Sequence, residues 1–241
     1  MNAPARDPAD RAALRAEIAG LGEYFVLPAQ DDGEWRALPK LLDETVLRDL
    51  VERTRAAIAD SVGCGRSEIP VKSAASSFQL GITARLLSPA VGAASCFGVV
   101  PSLGPESLTW RPTPKHVPHF AATDIDWVDA ATPARAATLI ADSLVRGVLG
   151  PLNAALDGLV SLPPQVSWGN VISAANGAVT VLSMSQPHRE SAGRDLVRAL
   201  LDTELLTGTA TYAHGRFVRR SCCLFYLAPR SGLCGDCVLA E

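Results

Sequence analysis

The sequence points to a mainly α-helical domain with a small β component and a cysteine-rich segment at its C-terminal end. Two observations lead there. Apolar residues recur at helical spacing in several windows that begin at capping residues and stop at glycine or proline. Four of the six cysteines fall between positions 222 and 237. Hydrophobic residues make up 48% of the chain and charged residues 20%, which fits a well-buried globular core and excludes a disordered chain.

Taken in chain order, Tyr24–Leu27 is a candidate strand. Asp43 can cap a helix that carries Val46, Leu47, Leu50, Val51, Thr54 and Ile58 on one face and stops at Gly63. Phe97–Val100 and Leu108–Arg111 flank a turn containing proline and glycine and read as a short hairpin. Thr132 followed by Pro133 is a cap with proline at the first helical position. It opens a helix through Leu139, Ile140, Leu144 and Val148 that Gly150–Pro151 should end. Ser167 can cap a helix with the stripe Trp168, Ile172, Ala175, Val179 and Leu182. A further helix runs from about His188 through Leu196, Val197, Leu200, Leu201 and Leu205, ending near Gly208.

The 241 residues show no repeat or linker and are expected to form a single domain, 1–241, in which 216–241 is the metal-binding segment. A net charge of −3 gives no reason to expect a nucleic-acid partner. The basic residues are nearly all arginine, with lysine only at 40, 72 and 115. The first twenty residues are charged throughout, unlike a secretory signal, so the expected location is the cytoplasm. The uncharged stretches Leu86–Pro105 and Gly158–Pro187 are long enough to cross a bilayer. Their serines, asparagines and prolines make buried segments the better reading, with no stable membrane insertion.

The last residues read RFVRRSCCLFYLAPRSGLCGDCVLAE, that is C-C, ten residues, C-x-x-C. Four thiolates from one segment can meet at one centre if the chain folds back, and Pro229 and Gly232 supply a reversal. Gly235 would let a backbone N–H approach sulfur. Cys222 and Cys223 are adjacent, and neighbouring side chains of a strand face opposite ways, so the backbone there must turn for both to reach one centre. The pattern suits an iron–sulfur cluster held by Cys222, Cys223, Cys234 and Cys237. A four-cysteine zinc site, a thiol–disulfide pair at Cys234 and Cys237, and four unrelated thiols remain open alternatives.

This signature resembles the C-terminal end of the FhuF-type ferric-siderophore reductases, in which C-C-x10-C-x-x-C ligates a [2Fe–2S] cluster. Cys222, Cys223, Cys234 and Cys237 match it position by position, and Arg220, Tyr226, Gly235 and Asp236 fit its context. Upstream, Ser167-Trp168-Gly169-Asn170 resembles the family's W-G-N helix start, and Ser76–Pro89 more loosely its earlier helical block. The resemblance implies an enzyme that reduces Fe(III) in ferric siderophores to Fe(II), served by an electron donor such as a ferredoxin or a flavin reductase. It singles out no catalytic residue beyond the ligands. An electron carrier or sensor module without a siderophore substrate, and a zinc-stabilised binding protein, are the other functions to weigh.

Arg216, Arg219, Arg220 and Arg230 flank the ligands. As a positive rim they would stabilise the reduced cluster and attract anionic ligands or an acidic partner. Cys64 and Cys96 read as packing residues. His116 and His119 lie in a proline-bearing segment and read as loop; His214 is near enough to tune the cluster. The face Asn170, Ser173, Gly177, Thr180 reads as a packing surface more readily than a pocket lining.

Overall fold

The computed structural model describes residues 8–114, 116–123, 125–213 and 215–240. Its helices are α1 (Pro8–Ala19), α2 (Glu44–Val62), α3 (Val71–Phe97), α4 (Pro133–Ile140), α5 (Gly150–Val160), α6 (Pro164–Ser185) and α7 (Glu190–Leu201). The strands are short: β1 (Arg36–Ala37), β2 (Val99–Pro101), β3 (Leu108–Arg111), β4 (His119–Ala122), β5 (Trp127–Asp129), β6 (Ala210–Ala213) and β7 (Arg216–Arg219). The fold is mainly helical with a small β component, as the sequence indicates.

Helix α3 is the axis. Its buried residues are spread around the helix with no single apolar stripe, and α6, α2 and α7 pack around it. Gly92 on α3 is where Phe25 enters: a Cβ there would meet the Phe25 ring at 2.6 Å. Phe25 is fully buried, which contributes roughly 1.5–3 kcal/mol. Tyr24–Leu27 is therefore not a strand; Glu23–Phe25 forms a 3₁₀ turn that inserts one ring and leaves Tyr24 and Val26 outside.

Helix α2 begins after Asp43, whose side chain does not cap it but turns to Lys40, and ends at Gly63, which adopts a left-handed φ of 66° and turns its N–H back to Asp60. Thr132 caps α4 by accepting from the Arg135 N–H at 3.2 Å. The helix does not stop at Gly150–Pro151. Residues Ala141–Leu149 are π-helical, and the Gly150 N–H reaches back five residues to Val145. That shift of register lets Pro151, which has no N–H to give, open α5 without breaking the helix.

Ser167 is not a cap. Helix α6 starts three residues earlier at Pro164, and Ser167 is buried inside it. Helix α7 ends at Leu201, and residues up to Gly208 form turns. The expected hairpin is two different pairings: β2 pairs with β5, while β3 sits between β1 and β4, all antiparallel. Both strands exist, but each finds a partner beyond the intervening turn. Two helical spans, Val71–Phe97 and Pro133–Val160, are long and apolar enough to cross a membrane, with 61% and 50% of their most apolar windows buried inside the fold.

Candidate iron–sulfur centre

The hairpin β6–β7 delivers the chain to the site, with Ala210 opposite Arg219 and Ala213 opposite Arg216. Along β7 the burial alternates, so Phe217 and Arg219 face inward and Arg216 faces out. An arginine thus stands where the pattern calls for an apolar residue, and it is 1% exposed. Its Nη2 donates to Asn170 Oδ1 at 2.6 Å, while its Nε is buried without a hydrogen-bond partner. No carboxylate pairs with it among the described residues. The Arg219 N–H donates to the Asp236 carbonyl at 3.1 Å, which lays the Cys234–Cys237 loop along β7.

After Cys222 and Cys223 the chain turns sharply. Leu224 has a φ of 66°, a left-handed conformation unusual for leucine, and its N–H points back to Cys222 Sγ at 3.3 Å. A 3₁₀ turn at Phe225–Leu227 follows. The second reversal comes at Pro229–Arg230, where Arg230 has a φ of 61°. The Arg230 guanidinium donates to the Gly63 carbonyl at the end of α2, at 2.7 Å. That bond holds a conformation costing about 1–3 kcal/mol. In the returning loop the Cys237 N–H closes a turn onto the Cys234 carbonyl, and the Leu239 N–H donates to Cys237 Sγ at 3.3 Å. The amides aimed at sulfur are thus those of Leu224 and Leu239, not Gly235.

Cys223 and Cys237 are buried, Cys222 and Cys234 half-buried, and all four are free thiols. Cys222 interacts electrostatically with Cys223 and Cys237, and Cys234 with Cys223 and Asp236. Burial pushes the Cys222 and Cys234 thiols up, most strongly Cys234. Bound metal reverses that preference, because a coordinating thiol is deprotonated outright. Among the described residues no three His, Cys, Asp or Glu side chains close to the spacing of a single-ion site. These interactions link all four thiols through Cys222 and Cys223, and four thiolate donors from one segment suit an iron–sulfur centre.

Helices α3 and α6 hold this segment through polar contacts. Ser76 Oγ donates to the Cys223 carbonyl at 2.7 Å and accepts from Asn170 Nδ2 at 3.0 Å. Asn170 therefore joins Arg219 on one side to Ser76 and Cys223 on the other. Ser173 Oγ donates to Asp236 Oδ2 at 2.5 Å, and Ser221 Oγ to the Gln165 carbonyl at 2.7 Å. Gly169 makes room for the contact: a Cβ there would collide with Ser221 Oγ and stand 3.1 Å from Arg219 Nη2. Asn170 and Ser173 thus pack against the cysteine segment, and the serine and asparagine pattern of α6 was the signal for it.

Beside the thiols lies a cavity of about 1100 Å³, whose lining includes Cys223, Cys234, Tyr24, Arg85, His116 and His119. The two histidines, expected as plain loop, line this space, and Arg85 does so from α3; neither role has a sequence signature. The flanking arginines differ in placement, and only Arg219 is buried. Arg219 is buried in the network, Arg230 is tied to Gly63, Arg216 donates to the Gly235 carbonyl at 3.2 Å, and Arg220 is exposed. Cys64 and Cys96 pack at the edge of the core. His214 lies outside the described residues.

Residues 219–239 match the family model of the FhuF 2Fe-2S C-terminal domain. All four cysteines of the signature fall within the match, as do Arg219, Arg220 and Arg230. The cofactor of the FhuF 2Fe-2S C-terminal domain is a [2Fe–2S] cluster. The segment fits it: four thiols, two of them buried, an amide on each of two sulfurs, and a buried cation that acts electrostatically on Cys222. Comparison with curated proteins gives no match.

Proposed function

We propose that the protein is an iron–sulfur reductase that converts Fe(III) in a ferric siderophore to Fe(II) and so releases the iron in the cytoplasm. The observation that carries this reading is the cavity against Cys223 and Cys234, whose volume of about 1100 Å³ accommodates a chelate next to the ligands. A carrier or sensor has no need of such a space.

The chemistry is a single electron. Hydroxamate, catecholate and carboxylate oxygens are hard ligands that hold Fe(III) far better than Fe(II), so reduction loosens the complex. When bound, the [2Fe–2S] cluster supplies that electron, and a low-potential one-electron donor of the ferredoxin or flavin-reductase class restores it. The donor's electron ends on the substrate iron, and the freed chelator oxygens take protons from water. The residues do the rest. Cys222, Cys223, Cys234 and Cys237 would hold the irons; the Leu224 and Leu239 amides and the Arg219 guanidinium would favour the more negative reduced state. Leu233 and Phe225 help wall the cavity beside the ligands.

On this reading 1–241 is one functional unit with 216–241 as its cluster segment, without nucleic-acid or membrane partners. The test is Fe(II) captured by a ferrous-specific chelator when the loaded protein, a ferric siderophore and a one-electron donor are mixed. A cluster that cycles yet never speeds Fe(II) release would assign the protein to electron carriers or sensors.

A further inference from the structure

We infer that the cavity beside Cys223 and Cys234 selects ferric chelates that carry negative charge, with Arg85 as the residue that anchors them. The inference rests on the reductase reading and adds to it the class of substrate.

Arg85 lies on α3, one turn beyond Gly81, and both line the cavity. One nitrogen, Nη1, donates to the Gly81 carbonyl at 2.9 Å. No carboxylate pairs with Arg85 among the described residues, and its side chain is exposed at the cavity wall. His116 and His119 line the same space, whereas Glu23 is the one acid among the described lining residues. Tyr24, Phe120 and Phe225 add aromatic surface.

The charge of the ligand follows from its chemistry. Each bidentate catecholate brings two negative charges and each hydroxamate one. Three catecholates therefore leave a ferric chelate trianionic, and three hydroxamates leave it neutral. A cluster ligated by four thiolates is itself negative in either oxidation state, so an anionic chelate next to Cys223 and Cys234 is repelled unless cations stand nearby. Arg85 supplies one on the cavity wall, and the buried Arg219, which does not line the cavity, acts on Cys222 electrostatically. A neutral chelate needs neither, and would leave the Arg85 cation partly desolvated without a counter-charge.

The experiment measures binding of redox-inert gallium chelates to the cluster-loaded protein, by calorimetry or by quenching of tryptophan emission. Gallium tris-catecholate should bind at least about tenfold tighter than neutral gallium tris-hydroxamate, as one charge-assisted contact provides. Arg85→Gln should erase most of that preference, and Arg85→Lys, which keeps the charge and controls for folding, should retain most of it. Equal affinity for the two chelates, or a preference unmoved by Arg85→Gln, would overturn the inference. If neutral ferric hydroxamate is nonetheless reduced, the reductase reading survives that outcome. If neither chelate is bound or reduced, both fall.

Discussion

Arg219 and Asn170 stand 49 residues apart in the chain and meet in the core, Arg219 Nη2 donating to Asn170 Oδ1 at 2.6 Å. Through Ser76 the same asparagine reaches the Cys223 carbonyl. A buried guanidinium with no carboxylate beside it is costly in an apolar interior. Arg219 acts electrostatically on Cys222, so thiolates ligating a bound cluster would compensate the cation and be stabilised by it.

Arg219→Gln should therefore lower the reduction potential, because the added electron loses its nearest buried cation. A drop of roughly 60 mV or more is expected, one tenfold change in a one-electron equilibrium. Arg219→Lys should shift it less. Redox titration followed by EPR measures this, and an unchanged potential would leave Arg219 a structural residue only.

Protein purified without oxygen should be red-brown, with about two iron and two sulfide per chain. Serine at Cys222, Cys223, Cys234 or Cys237 should abolish or distort the visible spectrum. Serine at Cys64 or Cys96, which pack at the edge of the core, should leave it intact. Colourless protein holding one zinc would contradict the assignment of the four cysteines.

Asn170→Ala should destabilise the fold by about 1–3 kcal/mol, since it strips a hydrogen bond from buried Arg219 and from Ser76 at once. Gly169→Ala should displace Ser221 and loosen the cysteine segment from α6. Thermal unfolding reads the first change; the rate of cluster loss to a chelator reads the second. Gly177→Ala, where a Cβ meets nothing within 4 Å, is the control and should be neutral or stabilising.

Asp31 gives a pH dependence away from the centre. The Gly33 amide, then the Trp35 indole N–H and Arg111, hold its carboxyl below the usual carboxylate range. A depressed pKa contributes stability that is present above the unfolded value and lost as pH falls through the folded one. Emission from Trp35 should therefore stay constant down to about pH 4 and change only below it. Asp31→Asn should remove that transition. A midpoint at or above the ordinary carboxylate value would show that the loop contacts do not form in solution.

The four cysteines inside the family match were legible in the sequence because a C-C-x10-C-x-x-C pattern is a local signal: residue types and spacing lie within sixteen residues. The same holds for the stripe and glycine stop of α2 and for the Thr132 cap of α4, which are written in consecutive residues. Helix α3 was harder to read, because its buried residues are spread around the helix and leave no periodic stripe. The π-helical join at Gly150–Pro151 escaped because a glycine and a proline mark an end only when the register stays α.

The cavity, the burial of Arg219 and the anchoring of Arg230 depend on contacts between distant segments. An arginine in RFVRRSCC reads as surface until β7 turns its alternate side chains inward against α6. Arg230 gains its role from a carbonyl 167 residues earlier. Arg85 and the two histidines acquire theirs because α3 and the segment before β4 wall one space beside Cys223 and Cys234. Ligand identity is a property of residue type and spacing, which a chain displays locally. Depth, charge compensation and the shape of a substrate space arise only when remote segments exclude water from one another.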